Sequence, residues 1–198
     1  MTLLNSGLYT RYASSTKTHK IIFTNANFDN KICISNENLV IFAKTTLIWK
    51  KTVTFLRDAC LIFSLTNYVS KFSERETTKK HYFIDNGILH IFLNDDKTSL
   101  LENLCAIYLY QKYGDKQLFF YNKNIEVDFY IPEYHTAIQS CYSMRDIQTF
   151  EREVNALLKL HSFEHLDKAY IITYDEEKTI IKNDITIEIM PIWKWILQ

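Results

Sequence analysis

A mixed α/β domain with the element order α-β-β-β-α-β is the fold class that this sequence predicts. Three observations predict it. A strong helical pattern runs from about Ser99 to Tyr113, three strand-like segments follow at short intervals, and a second helical stripe from Arg145 to Leu160 leads into another apolar strand. The 198 residues allow one domain with a smaller appendage, at ~100–200 residues per domain. Hydrophobic residues make up 47% and charged residues 23%, the balance of a chain that buries a core rather than one that stays disordered.

The elements follow in order. Residues 1–30 are rich in Ser, Thr and Asn, carry one strand-like stretch at Lys20–Thr24, and stay unassigned. Residues 31–87 read as a winged-helix-like segment. Ser35 and Asn38 offer a helix start without a full capping box. Val53, Leu56, Ala59, Cys60 and Phe63 then recur at helical spacing, with Lys50, Lys51, Arg57 and Asp58 opposite. Leu61–Val69 is rich in strand formers, Ser70–Lys80 is a polar turn, and His81–Ile84 is a second strand. Helix, strand, polar turn, strand is the order of a winged helix, with the polar turn as its wing.

Residues 88–198 carry the α/β domain, entered through the turn signal Asp85-Asn86-Gly87. In its first helix Leu100, Leu101, Leu104, Ile107 and Tyr108 mark the faces, and Gly114 sits where a C-terminal cap belongs. Strands are predicted at Gln117–Tyr121, Ile125–Ile131 and Tyr134–Tyr142. Ile147, Phe150, Val154, Leu157, Leu158 and Leu160 form the buried stripe of the second helix. A short strand at Ala169–Thr173 follows, then a hairpin of Thr179–Lys182 and Thr186–Met190. Trp193 and Trp195 near the end are read as core packing.

Several function classes are excluded. The three glycines, Gly7, Gly87 and Gly114, are too scattered for a Walker A loop or a dinucleotide fingerprint, so these residues hold no P-loop and no ATPase activity by that route. The four cysteines form no C-x-x-C pair and suit a reducing compartment. Twenty-three basic residues balance 23 acidic ones, which gives no overall pull toward nucleic acid or an anionic membrane. No apolar run approaches the ~20 residues that span a bilayer. The expectation is a cytoplasmic protein with no membrane partner.

The order α-β-β-β-α-β is also that of a restriction-endonuclease-like core, whose chemistry needs carboxylates converging on Mg²⁺ and a lysine beside the attacking water. The helix supplies Glu102. The second strand supplies Glu126 and Asp128, two apart and so on one face. The third strand, where Glu or Asp, a spacer and Lys are needed, reads Gln139-Ser140-Cys141. The candidate catalytic set is therefore Glu102, Asp128 and Gln139, with Glu102 and Asp128 as the metal ligands. It lacks one carboxylate and the ammonium. Lys71, Arg75, Lys79 and Lys80 cluster in the wing as candidate nucleic-acid contacts, diluted by Glu74 and Glu76. His161 and His165 are four apart where the helix is ending, and read as a polar helix end rather than metal ligands.

A set of segments adds to this reading: Lys80-His81-Tyr82-Phe83-Ile84-Asp85-Asn86-Gly87, Leu101-Glu102-Asn103, Glu126-Val127-Asp128-Phe129, Ile138-Gln139-Ser140-Cys141-Tyr142 and Pro191-Ile192-Trp193-Lys194-Trp195. From about residue 46 onward the chain resembles the carboxy-terminal half of prokaryotic AAA+-type ATPases, a winged helix followed by an uncharacterised module of the PD-(D/E)XK nuclease superfamily. In that family a P-loop ATPase precedes the winged helix; it has no counterpart in residues 1–45. The resemblance implies a non-catalytic or weakly active nuclease-like module that binds DNA or a partner protein such as a separate P-loop ATPase. The alternative it implies is an Mg²⁺-dependent DNA endonuclease using Glu102, Asp128 and Gln139. A further alternative is a truncated gene product without retained function.

Overall fold

Among the described residues, eight strand segments join into one mixed sheet, and helices cover both of its faces. A computed structural model describes residues 51–69, 79–91, 93 and 97–198. The unassigned stretch 1–30, the helix start at Ser35 and the wing residues Lys71 and Arg75 lie outside the described residues. Residues 51–58 form α1. There follow β1 (Ile62–Asn67), β2 (Lys79–Phe83), α2 (Asn86–Ile91), α3 (Lys97–Gln117), β3 (Phe119–Asn122), β4 (Glu126–Ile131), β5 (Thr136–Ser140), α4 (Ile147–Phe163), β6 (Lys168–Thr173), β7 (Lys178–Lys182), β8 (Ile185–Pro191) and α5 (Ile192–Ile196). The sheet order is β2-β1-β3-β4-β5-β6-β8-β7. The pairs β1/β3, β5/β6 and β6/β8 are parallel, and the others are antiparallel.

Period-two alternation divides the core between the two faces. Ile138, Ile172 and Met190 pack with Leu101, Cys105, Ala106 and Leu109 of α3 and with Ile192 and Trp195 of α5. Their neighbours Ala137, Ile171 and Ile189 pack on the other side with Val154, Leu157, Leu158 and Leu160 of α4. Asp146 starts α4 as its N-cap, accepting a 2.8 Å hydrogen bond from the Thr149 amide. This carboxylate takes up an amide that the first helical turn otherwise leaves without a partner.

Four expectations are revised. The strands assigned to a winged helix are β1 and β2, and both are hydrogen-bonded into the same sheet as the rest. The boundary expected at 87/88 falls inside α2, because Asp85, read as a turn residue, caps that helix by accepting from the Ile88 amide at 3.0 Å. Gly114 does not end α3 outright. It takes φ 70° and ψ −174°, a conformation available mainly to glycine, and kinks the helix before it runs on to Gln117. Trp195 is buried edge-on against Tyr108, whereas Trp193 is 61% exposed, because α5 is a helix that turns the two indoles to different sides.

Candidate functional site

The site begins with the alternation of β2. Lys80 and Tyr82 point to the face that α3 covers, while His81 points away and shares a 2.8 Å hydrogen bond with Ser64. The Asn103 side chain fastens α3 to this strand. It accepts from the Phe83 amide at 2.9 Å and donates to the Phe83 carbonyl at 3.0 Å. Glu102, the preceding residue, is thereby held against Tyr82, whose hydroxyl donates to Glu102 Oε1 at 3.1 Å.

Lys80 is a correction to the sequence reading. It was expected in a solvent-facing wing; its side chain is 0% exposed, and its ammonium lies within a carboxylate cluster. Lys80 Nζ stands 2.9 Å from Glu126 Oε1, 3.2 Å from Asp128 Oδ1 and 3.5 Å from Glu102 Oε1. Burial alone would favour the neutral amine, but the Asp128, Glu102 and Glu126 carboxylates outweigh it and hold the lysine pKa above its ordinary value. Strands lie about 4.8 Å apart, so in a flat sheet β2 and β4 would be about 14 Å apart, beyond a lysine's reach. Lys80 Nζ nonetheless reaches Glu126 and Asp128 of β4, and between these strands β1 meets β3 only through Thr66↔Phe119 and Asn67↔Phe120.

Glu102 and Asp128, predicted to converge, do so through this shared nitrogen. Glu126 joins them, as its spacing from Asp128 implied, and at 44% side-chain exposure it is the solvent-facing rim of the group. Asp128 Oδ2 accepts from the Ser140 amide at 3.1 Å and the Ser140 hydroxyl at 3.2 Å. Gln139 lies beside the group but is committed elsewhere. Its Oε1 accepts from the Asp128 amide at 2.8 Å, and its Nε2 donates to the Glu126 carbonyl at 3.1 Å. The side-chain amide thus stands in for the β4/β5 ladder, whose direct register runs from Phe129↔Ile138 to Ile131↔Thr136.

Cys141, at the position where a lysine was sought, packs on the α4 side of the sheet. Burial, and then the Glu153 carboxylate, push its thiol up to about 12, so it stays neutral. The ammonium beside these carboxylates comes from β2. Sequence reading missed Lys80, Tyr82 and Ser140 as members of the site. The Lys80-x-Tyr82 spacing was a signal for a shared face, but the contact between β2 and β4 is a tertiary one that no local spacing encodes. His161 accepts from the Leu166 amide at 3.1 Å and finishes the helix end, as its placement suggested.

Mg²⁺, the ion expected of this chemistry, does not fit the donor set. Both Asp128 oxygens already accept hydrogen bonds, the Gln139 carbonyl is given to a backbone amide, and an ammonium sits among the three carboxylates. Among the described residues, no three His, Cys, Asp or Glu side chains are grouped to hold a metal ion. No helix among them is long and apolar enough to cross a membrane.

No family model matches the chain. No solved structure matches it either. The chain is similar to the uncharacterized protein MJ1544 of Methanocaldococcus jannaschii, at 36% identity over 155 residues, which cover 72% of this chain and 34% of that protein. It spans about a third of the length of this curated relative.

Proposed function

We propose that this chain is a nuclease-like module that binds DNA without cutting it. The observation that carries the non-cutting part of this reading is the Lys80 ammonium lodged among Glu102, Glu126 and Asp128; the DNA-binding part rests on the element order alone. The elements from α3 to β6 follow the order of a restriction-endonuclease-like core, and two of its expected carboxylates meet in one place. The cation between them is a tethered lysine, however, and a tethered monovalent charge activates no water for attack on phosphate. Incubation of the chain with supercoiled plasmid and Mg²⁺ or Mn²⁺ is expected to leave the plasmid intact, while a polarisation assay detects binding to a labelled duplex. Cleavage that disappears in Asp128→Asn would overturn the non-catalytic part. Absence of binding at low salt would overturn the rest.

A second reading has one observation in its favour. Nuclease chemistry of this class wants a lysine near the carboxylates, and Lys80 reaches Asp128 at 3.2 Å from a different strand than the one searched. On this reading the chain is an endonuclease whose lysine stands on β2, and the ammonium would have to leave the carboxylates before Mg²⁺ could enter. The plasmid assay separates the two, with Lys80→Met as the variant that abolishes cutting only if the second reading holds.

A further inference from the structure

The two ends of the sheet are finished differently. At one end β2 is closed by the Asn103 side chain, which accepts from the Phe83 amide and donates to the Phe83 carbonyl. At the other end stands β7, paired on one side only, with β8. The two strands are joined by the turn Asn183-Asp184, whose residues both take positive φ, 52° and 62°. That is the pattern of a type I′ hairpin, in which the residues flanking the turn exchange hydrogen bonds. Lys182 and Ile185 are that pair, and bonded pairs recur at Ile180↔Ile187 and Lys178↔Ile189. Thr179 and Ile181 therefore turn their amides and carbonyls away from β8. Among the described residues, nothing meets these outward groups.

Edge strands are commonly shielded by a proline or a bulge. β7 has no proline and no break in its register on β8, and Ile181 is 79% exposed. What shields it is charge. Lys178 and Lys182 stand at its two ends and, by alternation, on the same face as Ile180. Lys178 lies 5.0 Å from the Phe150 ring centroid, and among the described residues neither lysine is ion-paired. The acidic side chains nearby are placed elsewhere. Glu177 pairs with Lys194, Asp184 lies in the turn, and Glu188, opposite Thr179, sits on the other face of the hairpin.

This charge pattern decides between occupants. A second copy pairing antiparallel about Ile180 would set each Lys178 against the other copy's Lys182, and like charges directly opposite are destabilising. An extended segment with acidic residues at those two positions meets opposite charges instead. We propose that β7 is a strand-addition site, at which an acidic extended segment of a partner protein joins the sheet. Main-chain bonds to Thr179 and Ile181 supply the affinity, while Lys178 and Lys182 select the sequence. The site lies at the opposite end of the sheet from β2 and its Lys80, and it does not rest on the DNA-binding reading.

The probe is a fluorescent peptide with the core Glu-Thr-Val-Ile-Glu, titrated against the full chain by polarisation beside the same peptide with Lys for both Glu. The acidic peptide is expected to bind, and the basic one is not. An opposite-charge pair across strands is worth up to about five-fold in affinity. Lys178→Glu combined with Lys182→Glu is therefore expected to weaken the acidic peptide about ten-fold or more, and to let the basic one bind. Ile181→Pro removes an outward amide without touching the β8 ladder, and is expected to abolish binding with an unchanged circular dichroism spectrum. N-methylation of the peptide's Thr and Ile blocks the amides that face β7, and is expected to do the same with the protein unaltered. No binding of the acidic peptide up to about 1 mM, or equal binding of both peptides, overturns the proposal. So does retained binding of the N-methylated peptide, which would mean charge attraction without strand pairing. A dimer in sedimentation that Ile181→Pro dissociates also overturns it, because a second copy then holds the edge.

Discussion

Lys80 and His81 are neighbours on one strand, and both are taken out of water, yet they end in opposite charge states. Lys80 faces Asp128, Glu102 and Glu126, whose attraction exceeds the burial penalty and keeps it an ammonium. His81 faces the other way. Burial, then the Lys79 and Arg57 cations, push its pKa down to about 4 and leave it neutral. Desolvation opposes charge on both sides of β2; the sign of the neighbouring charges decides whether it wins. The same strand therefore carries a permanent charge on one face and a titratable neutral ring on the other.

The strongest way to break this contrast is to remove the ammonium. Lys80→Met leaves Glu102 and Asp128 buried without their cation, and losing one partner of a buried ion pair costs about 3–5 kcal/mol. Urea unfolding is expected to show that loss, and the double variant with Asp128→Asn should recover part of it. A midpoint equal to that of the unaltered chain would mean that the carboxylates find other partners at no cost.

The opposite face is probed by acid. His81 titrates near 6.5 when unfolded and about 4 when folded, so between these values the unfolded state holds more protons. Its contribution is complete above about pH 6.5 and is lost as pH falls toward 4, by up to about 3 kcal/mol. His81→Leu is expected to remove this part of the slope. An unchanged pH profile in that variant would assign the acid sensitivity to carboxylates instead.

A smaller effect sharpens the role of Gln139. Gln139→Glu deletes the donor to the Glu126 carbonyl and sets a carboxylate against it, for a loss of about 1–3 kcal/mol in denaturant titration. Combining it with Cys141→Lys, which restores the motif on paper, is expected to yield no plasmid cleavage, because Cys141 packs on the α4 side of the sheet. Cleavage by that double variant would show that position 141 reaches the carboxylates after all.

What was legible in the sequence was local. The α4 stripe from Val154 to Leu160 and the shared face of Glu126 and Asp128 follow from period alone, and both are present. Glu102 was found because helix α3 has a clear apolar pattern around it. Lys80 was misread for two reasons. The strand begins at Lys79 rather than His81, and a basic residue beside a polar stretch resembles solvated surface until carboxylates from a distant strand are packed against it. Gln139 looked like a lost carboxylate, when its amide is needed as donor and acceptor together to close a gap in the β4/β5 ladder. Trp193 and Trp195 were both read as core, and the short helix α5 buries only Trp195.

The shared nitrogen of Lys80 also bears on how the chain folds. It joins β2, α3 and β4, and each of these elements alone would bury a charge that the other two compensate. No pair of them gains the full compensation, so partly assembled states are penalised and the three elements form or dissolve together. A hairpin attached to the sheet through two residue pairs would ordinarily open on its own, well before the rest of the molecule. Here the amides of β2 should exchange with solvent at the pace of global unfolding, and their protection is a measure of how far one buried charge extends cooperativity across the sheet.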